Sequence, residues 1–364
     1  MIVLLRSTDG NPDSRLEKYV DALEFANCPY LEFCWDRKGK FEDTDRIFFY
    51  KKRALYGSGW GNLKGLLGFD LFLIKKLFKY RKKYSIIHAC DFDTVLPAMI
   101  MKLFFRKKVI YDIFDWYVDS RELGFSFIRY FILLIESINL KFSDITIICE
   151  EERKKQLCVV PRKLWILPNI PNLGNSSFPG SQSKSEQINI SYVGVFAKHR
   201  GIEKIIKLVA NHPSKYKLDM AGFGELEPMV RSAAEDSSNI VYHGSVKYTD
   251  GLSIMSGSDI ILAIYEKTIP NHIYAAPNKY YEGLCLGIPI LTTMGTYVGT
   301  KTNAKSTGFS IGETYEEMED FFKSVTNEEL KLRGKNAFEE WNSKYKAYID
   351  QFMNEKYLPF IHRN

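Results

Sequence analysis

Ile188-Asn-Ile-Ser-Tyr-Val-Gly-Val195, then Phe-Ala-Lys-His-Arg200, then Gly201-Ile-Glu-Lys-Ile-Ile-Lys-Leu-Val-Ala-Asn211, is the stretch that decides the fold of this chain. Its first part, rich in β-branched and aromatic residues, reads as a strand, and its last part as a helix. The alternation continues through strand Lys217 to Ala221, helix Glu225 to Glu235, strand Ile240 to His243 and helix Asp250 to Met255. Strand Asp259 to Tyr265, helix Asn278 to Leu286 and strand Pro289 to Thr293 follow. Repeated βα units predict a doubly wound α/β domain around a parallel sheet. The tail from Tyr315 reads as helical, and no repeat at a solenoid period occurs.

The first half has the same rhythm. Strands are expected at Ile2 to Arg6, Tyr30 to Trp35, Arg46 to Lys51, Ser85 to Cys90, Lys108 to Phe114, Asp144 to Glu150 and Leu164 to Pro168. Amphipathic helices such as Ser14 to Phe25 and Leu63 to Lys83 lie between them. Turn formers and small polar residues then interrupt the pattern, so the expected organisation is domain 1–168, linker 169–187, domain 188–345 and a final helix, 346–364, returning to the first domain. Two Rossmann-like domains are expected to bring the carboxyl ends of their sheets to a cleft, where open parallel sheets bind ligands.

A chain of 364 residues with 45% hydrophobic side chains supplies two cores, which excludes a disordered class. Six scattered cysteines without a C-x-x-C pair read as reduced core thiols of a cytoplasmic protein. Met1 to Arg6 is too short an apolar run for a signal peptide, and Arg129 and Glu136 interrupt the longest apolar window, Phe125 to Phe142, so no transmembrane helix is expected. Charge is uneven. Residues 51–108 hold fourteen Lys and Arg against Asp70, Asp91 and Asp93, a block that calls for an anionic partner or for solvation.

Four segments in order carry a family resemblance: Tyr192-Val-Gly194 through Arg200-Gly201, Leu218-Asp-Met-Ala-Gly222-Phe-Gly224, Asn239-Ile-Val-Tyr-His-Gly244-Ser-Val, and Pro277-Asn-Lys279-Tyr-Tyr-Glu282 followed by Gly287-Ile-Pro289. Together they resemble the nucleotide-binding half of GT-B-fold glycosyltransferases, retaining family 4. Asp13-Ser-Arg15-Leu16, Ile86-Ile-His88, Val109-Ile-Tyr-Asp112 and Leu167-Pro-Asn169 resemble strand ends of the same family. The resemblance implies transfer of a hexose-type sugar from a nucleotide-diphosphate donor, UDP before GDP, to a glycan or lipid-linked acceptor in cell-surface polysaccharide synthesis. It also implies a donor bound as substrate, with no cofactor and no metal.

Charge that builds on a leaving diphosphate must meet positive groups. The resemblance places Arg200 there, and Lys198 for the basic residue that Val195 replaces, although both also read as solvated loop charges. Glu282 would accept the ribose hydroxyls, against the alternative of an exposed helical glutamate. Tyr274 stands where the family often has a second Glu. Tyr274, Ala275, Ala276, Pro277 and Asn278 would bring backbone N–H groups to the distal phosphate at a helix start, with Lys279 adding charge or lying on the surface. Asn271 and His272, in the loop before, are candidates for sugar hydroxyls or a plain turn. Gly244, Ser245 and Val246 would face the base, Gly222 would leave room for the donor, and Gly10 would sit in a loop facing the donor or acceptor. Phe114 replaces a common His, which leaves Asp115 as the candidate acceptor-side carboxylate or a helix cap.

The basic segments 63–83 and 102–108 mix cations with bulky apolar groups, as an anionic membrane surface on the inner face of the cell membrane would require, or as an amphipathic core helix with a solvated end would show. Nucleic acid is not an expected partner, since no recognition motif accompanies the charge. A nucleotide-sugar 2-epimerase and a catalytically inactive sugar-nucleotide-binding protein are the competing readings.

Overall fold

The computed structural model describes residues 1–8, 13, 15–53, 63–120, 126–171 and 187–363. They form two compact units, Met1–Pro168 with Ile349–Asn364, and Asn169–Tyr348.

The first unit contains β1 (Ile2–Arg6), α1 (Leu16–Phe25), β2 (Tyr30–Asp36), β3 (Ile47–Lys51), α2 (Leu63–Tyr80), β4 (Ile86–Cys90), α3 (Phe92–Phe105), β5 (Lys108–Ile113), α4 (Ser126–Phe142), β6 (Ile145–Ile148) and β7 (Leu164–Ile166). Its strands make one parallel sheet in the order β3-β2-β1-β4-β5-β6-β7. Ile2 to Leu5 are wholly buried, the unbroken apolar run that a parallel strand covered on both faces demands. Strand order runs one way from β1 to β3 and the other way from β4 to β7, so right-handed crossovers put α1 on one face and α2, α3 and α4 side by side on the other. The core agrees, since Phe69, Leu73, Ala98, Met101 and Leu140 share one cluster with Val3, Leu5, Ile87 and Val109.

The second unit contains β8 (Ile188–Val195), α5 (Ile202–Asn211), β9 (Tyr216–Phe223), α6 (Glu227–Asp236), β10 (Ile240–Tyr242), α7 (Tyr248–Ser256), β11 (Ile260–Ala263), α8 (Pro270–Ile273), α9 (Asn278–Leu286), β12 (Ile290–Thr293), α10 (Tyr297–Lys305) and β13 (Gly308–Ile311). Its parallel sheet has the order β10-β9-β8-β11-β12-β13. α11 (Tyr315–Ser324) and α12 (Asn327–Glu340) each open on a capping box, Thr314 with Glu317 and Thr326 with Glu329. After a π-helical turn at Trp341–Tyr345, the chain continues through α13 (Tyr348–Phe352) and α14 (Leu358–His362), whose residues from Ile349 onward belong with the first unit. There Trp165 meets Phe352 and Phe360 edge-on, and His88 Nδ1 lies 2.9 Å from the Tyr357 hydroxyl.

Among the described residues, α8, α10, β13 and a 3-10 helix at Glu151–Gln156 were not expected. Gly308-Phe-Ser-Ile has little strand character of its own and is extended because β12 offers it a ladder. Asn271 and His272 therefore sit on a short helix instead of a loop. The helix expected to reach Lys83 ends at Tyr80, and Lys83 N–H closes a turn on the Tyr80 carbonyl. Of the expected linker, residues 172–186 lie outside the described residues. The cysteines are all free, but Cys158 is exposed and Cys28 half-buried, so only Cys34, Cys90, Cys149 and Cys285 are core thiols. No described helix is long and apolar enough to cross a membrane.

Candidate active site

Strand order in the second unit reverses between β8 and β11, and a doubly wound sheet opens its crevice at the carboxyl ends of such a pair. Gly194, near the end of β8, lies in register with Gly222 of β9, and Gly222 N–H donates to the Gly244 carbonyl at 2.9 Å. A methyl group on Gly222 would stand 1.8 Å from the Gly194 oxygen, and the Gly222 φ of 147° already disfavours any side chain. The corner is therefore a bare backbone shelf. Ser245 is exposed and Val246 half-buried in the loop that follows β10.

The ammonium on this shelf is Lys279, whose Nζ lies 2.8 Å from where a Gly194 side chain would begin and 4.6 Å from the Tyr192 ring centre. Lys198 stands elsewhere, exposed and 2.6 Å from Glu225. Lys279 belongs to the first turn of α9, which Pro277 caps and exposed Asn278 begins. Burial pulls its ammonium down to about 8, Arg200 pulls the same way, and Glu282 opposes them. The Arg200 guanidinium lies 4.3 Å over the Tyr265 ring, just before Gly201 turns the chain into α5. Neither Arg200 nor Lys279 has an ion-pair partner among the described residues. Glu282, one turn beyond Lys279, is 5% exposed, which removes the exposed-glutamate reading.

His272 is buried too, against the edge of Tyr265. Its Nδ1 lies 2.8 Å from the Glu266 carbonyl, which can only accept, so Nδ1 carries the proton and Nε2 is left as an acceptor. Burial and then Arg200 hold its pKa down at about 4, so the ring is neutral at pH 7. Tyr274 ends α8 half-buried, Ala275 and Ala276 are buried, and Ala275 N–H is already bonded to the His272 carbonyl. Asn169 donates to the Ala276 carbonyl at 2.9 Å and fixes the approach to α9. Asn271 is half-buried on α8.

In the first unit the order reverses between β1 and β4, and the residues leaving those strands, Arg6 and Asp91, meet at 2.6 Å while Arg6 also holds Asp13. Asp91 has φ 66°, uncommon for a residue with a side chain, and accepts from Phe114 N–H at 2.8 Å. Burial, resisted by Arg6, raises its pKa to about 6. Sequence reasoning missed both residues, although their place at strand ends flanking the switch point was a usable signal. Asp115 pairs with Arg153 at 3.2 Å, and no helix starts directly after it, so it is not a helix cap. Phe114 lies under two guanidinium groups, Arg6 at 4.1 Å and Arg15 at 4.8 Å from the ring centre. Gly10 lies outside the described residues.

His88, Cys90 and Asp112 place three possible metal-ligand atoms within 4.8 Å of one another, all buried. Arg15 already bonds both Asp112 oxygens and Tyr19 donates to one of them at 2.6 Å, so the carboxylate is committed to a structural knot.

Two Rossmann-like units with a C-terminal helical extension make a GT-B type of fold. Solved structures of similar fold include sucrose-phosphate synthase from Thermosynechococcus elongatus, 15% identical with a TM-score of 0.74 and all of both chains covered. HepE from Anabaena, in complex with UDP and glucose, is 13% identical with a TM-score of 0.71, covering 99% of this chain and all of that one. A candidate UDP-N-acetylglucosamine 2-epimerase from Listeria monocytogenes is 12% identical with a TM-score of 0.58, covering 96% of this chain and 97% of that one. Likeness at these identities is likeness of fold. No family model matches the chain, and no curated protein matches it in sequence.

Proposed function

We propose that this chain is a glycosyltransferase that moves a hexose-type sugar from a nucleotide-diphosphate donor, UDP before GDP, to a glycan or lipid-linked acceptor with retention of configuration. The observation that carries the reading is the pair of cations without ion-pair partners, Lys279 against the glycine shelf and Arg200 near enough to act on its charge, with Glu282 buried one turn from Lys279. Arg200 has the fork that grips two phosphate oxygens, and Lys279 adds a second positive charge where the diphosphate charge grows. Glu282 is the acceptor for the ribose hydroxyls, and the Gly244-Ser245-Val246 loop faces the base. Neutral His272 offers an acceptor nitrogen for a sugar hydroxyl. The two cations take the place of a metal in neutralising the leaving group. On the acceptor side Asp115 is the candidate carboxylate, and the leaving phosphate can itself take the acceptor proton.

The fold shared with the Listeria protein keeps 2-epimerisation of the nucleotide sugar as the second reading. One experiment separates the alternatives: thermal unfolding with UDP, GDP and their sugars in EDTA, followed by product analysis with and without a glycan acceptor. A higher midpoint with UDP compounds in EDTA is expected, because a ligand that binds only the folded state stabilises it. Loss of that shift in EDTA would show that a metal neutralises the phosphates. An epimerised donor without acceptor would select the isomerase, and tight binding without turnover would select an inactive binding protein.

A further inference from the structure

The outer surface of α4 reverses the usual polarity of a surface helix. Phe127, Tyr130, Phe131, Leu134, Ile138 and Phe142 recur at intervals of three and four, so they form one stripe, and they are 47 to 72% exposed. The inward side meanwhile buries Glu136, which accepts from the Tyr111 hydroxyl at 2.8 Å, and Asn139. Beside it, α3 ends in Leu103 and Phe104, 75 and 70% exposed, and Phe105 touches Phe78 of α2 at 5.7 Å between ring centres. The α3 and α4 ends meet at Asp144, which pairs with Lys102 and, at 3.7 Å, with Lys108.

The three helices run against the strands, so their carboxyl ends gather at the amino edge of the sheet, opposite the edge where such sheets bind ligands. The exposed cations gather there as well: Lys79 in the last turn of α2, Lys82 and Lys83 after it, Arg106 and Lys108 after α3, and Lys141 in α4. No acidic side chain is exposed among the described residues of α2, α3 and α4. An apolar stripe with a one-signed basic rim matches a layer of anionic headgroups over acyl chains. A second copy would set this rim against like charges, and interface cores exclude lysine. We propose that this face docks the first unit on an anionic lipid bilayer, with α4 lying in the plane of the interface. The sequence pointed to 63–83 and 102–108; the structure assigns the inserting element to α4, whose apolar side chains look outward. The proposal does not depend on the sugar-transfer reading.

The test is flotation of the full chain with vesicles of phosphatidylcholine alone or mixed with phosphatidylglycerol at low salt. Binding to the mixed vesicles is expected, fading as salt shortens the screening length. The combined change Phe131→Ser, Leu134→Ser and Ile138→Ser should lower partitioning by roughly 100-fold or more, because each apolar group that leaves the interface is worth several-fold at least. Lys82→Gln, Lys83→Gln, Arg106→Gln and Lys108→Gln together should do likewise, each cation being worth about fivefold near such a surface. All seven side chains are exposed, so the urea midpoint should hold; if the serine variant unfolds, the glutamine variant decides alone. Wild-type protein that floats with neither vesicle, or equally with both, would overturn the proposal. A dimer in sedimentation velocity that the serine changes abolish, without flotation, would reassign the face to a second copy.

Discussion

At the scale of single residues the proposed site rests on two side chains of α9. Glu282 is buried, and its carboxylate acts on Lys279 one turn earlier. Glu282→Ala should weaken UDP binding roughly 10 to 100 fold, since a lost charged hydrogen-bond partner costs about 1.5 to 3 kcal/mol. Titration calorimetry checks this, and unchanged affinity for UDP and GDP alike would remove the ribose assignment. Lys279 sets a pH dependence whose sign follows from burial, which favours the neutral amine and brings the pKa to about 8. The ammonium prevails at pH 7 and the amine at pH 9, so affinity for the diphosphate should fall about tenfold between those values if only the ammonium grips it. Lys279→Arg keeps its charge through that range and should flatten the profile. A wild-type profile already flat from pH 7 to 9 would mean that Lys279 does not meet the phosphates.

At the scale of elements, the start of α1, the end of β4, the end of β5 and the C-terminal helices are tied by one buried knot. Arg15 bonds Asp112 and the Leu167 carbonyl, Tyr19 bonds Asp112, and His88 lies within 3.5 Å of Asp112 and 2.9 Å of Tyr357. Burial resists ionisation of Asp112, yet Arg15 and His88 hold its carboxyl well below the ordinary range. Arg15→Met should therefore cost roughly 3 to 5 kcal/mol, the penalty for leaving a buried charge without its partner. Urea unfolding reads this directly. A loss under about 1 kcal/mol would place the pair among solvated surface bridges, which are worth that little.

At the scale of the whole molecule, the chain returns to the first unit only in its last residues. Phe352, Tyr357, Leu358 and Ile361 are all buried there, and full burial of such side chains is worth roughly 1.5 to 3 kcal/mol each. Deleting residues 349–364 should lower the unfolding free energy of the first unit by roughly 5 kcal/mol or more and strip His88 of its hydroxyl partner. An unchanged urea midpoint in the shortened chain would show that the extension is dispensable to that unit.

The sequence by itself determined the repeated βα units, the helix from Asn278 to Leu286 with its Gly287 stop, and the basic bias of residues 51–108. These are local matters: side-chain periodicity, caps and charge spacing are settled within a turn or a strand. It also placed Arg200 just before the start of a helix and Glu282 within a helix, where the family resemblance makes both candidates for the donor. Tertiary structure alone decided that Lys279, and not Lys198, lies against Gly194, that His272 is buried beneath the influence of Arg200, and that Asp91 answers Arg6 across the switch point. It also turned Glu136 inward and the aromatic stripe of α4 outward, against the pattern by which buried and exposed positions are ordinarily read. Each of these depends on which distant strands and helices become neighbours, because burial and Coulomb attraction act through space and leave no periodic mark along the chain.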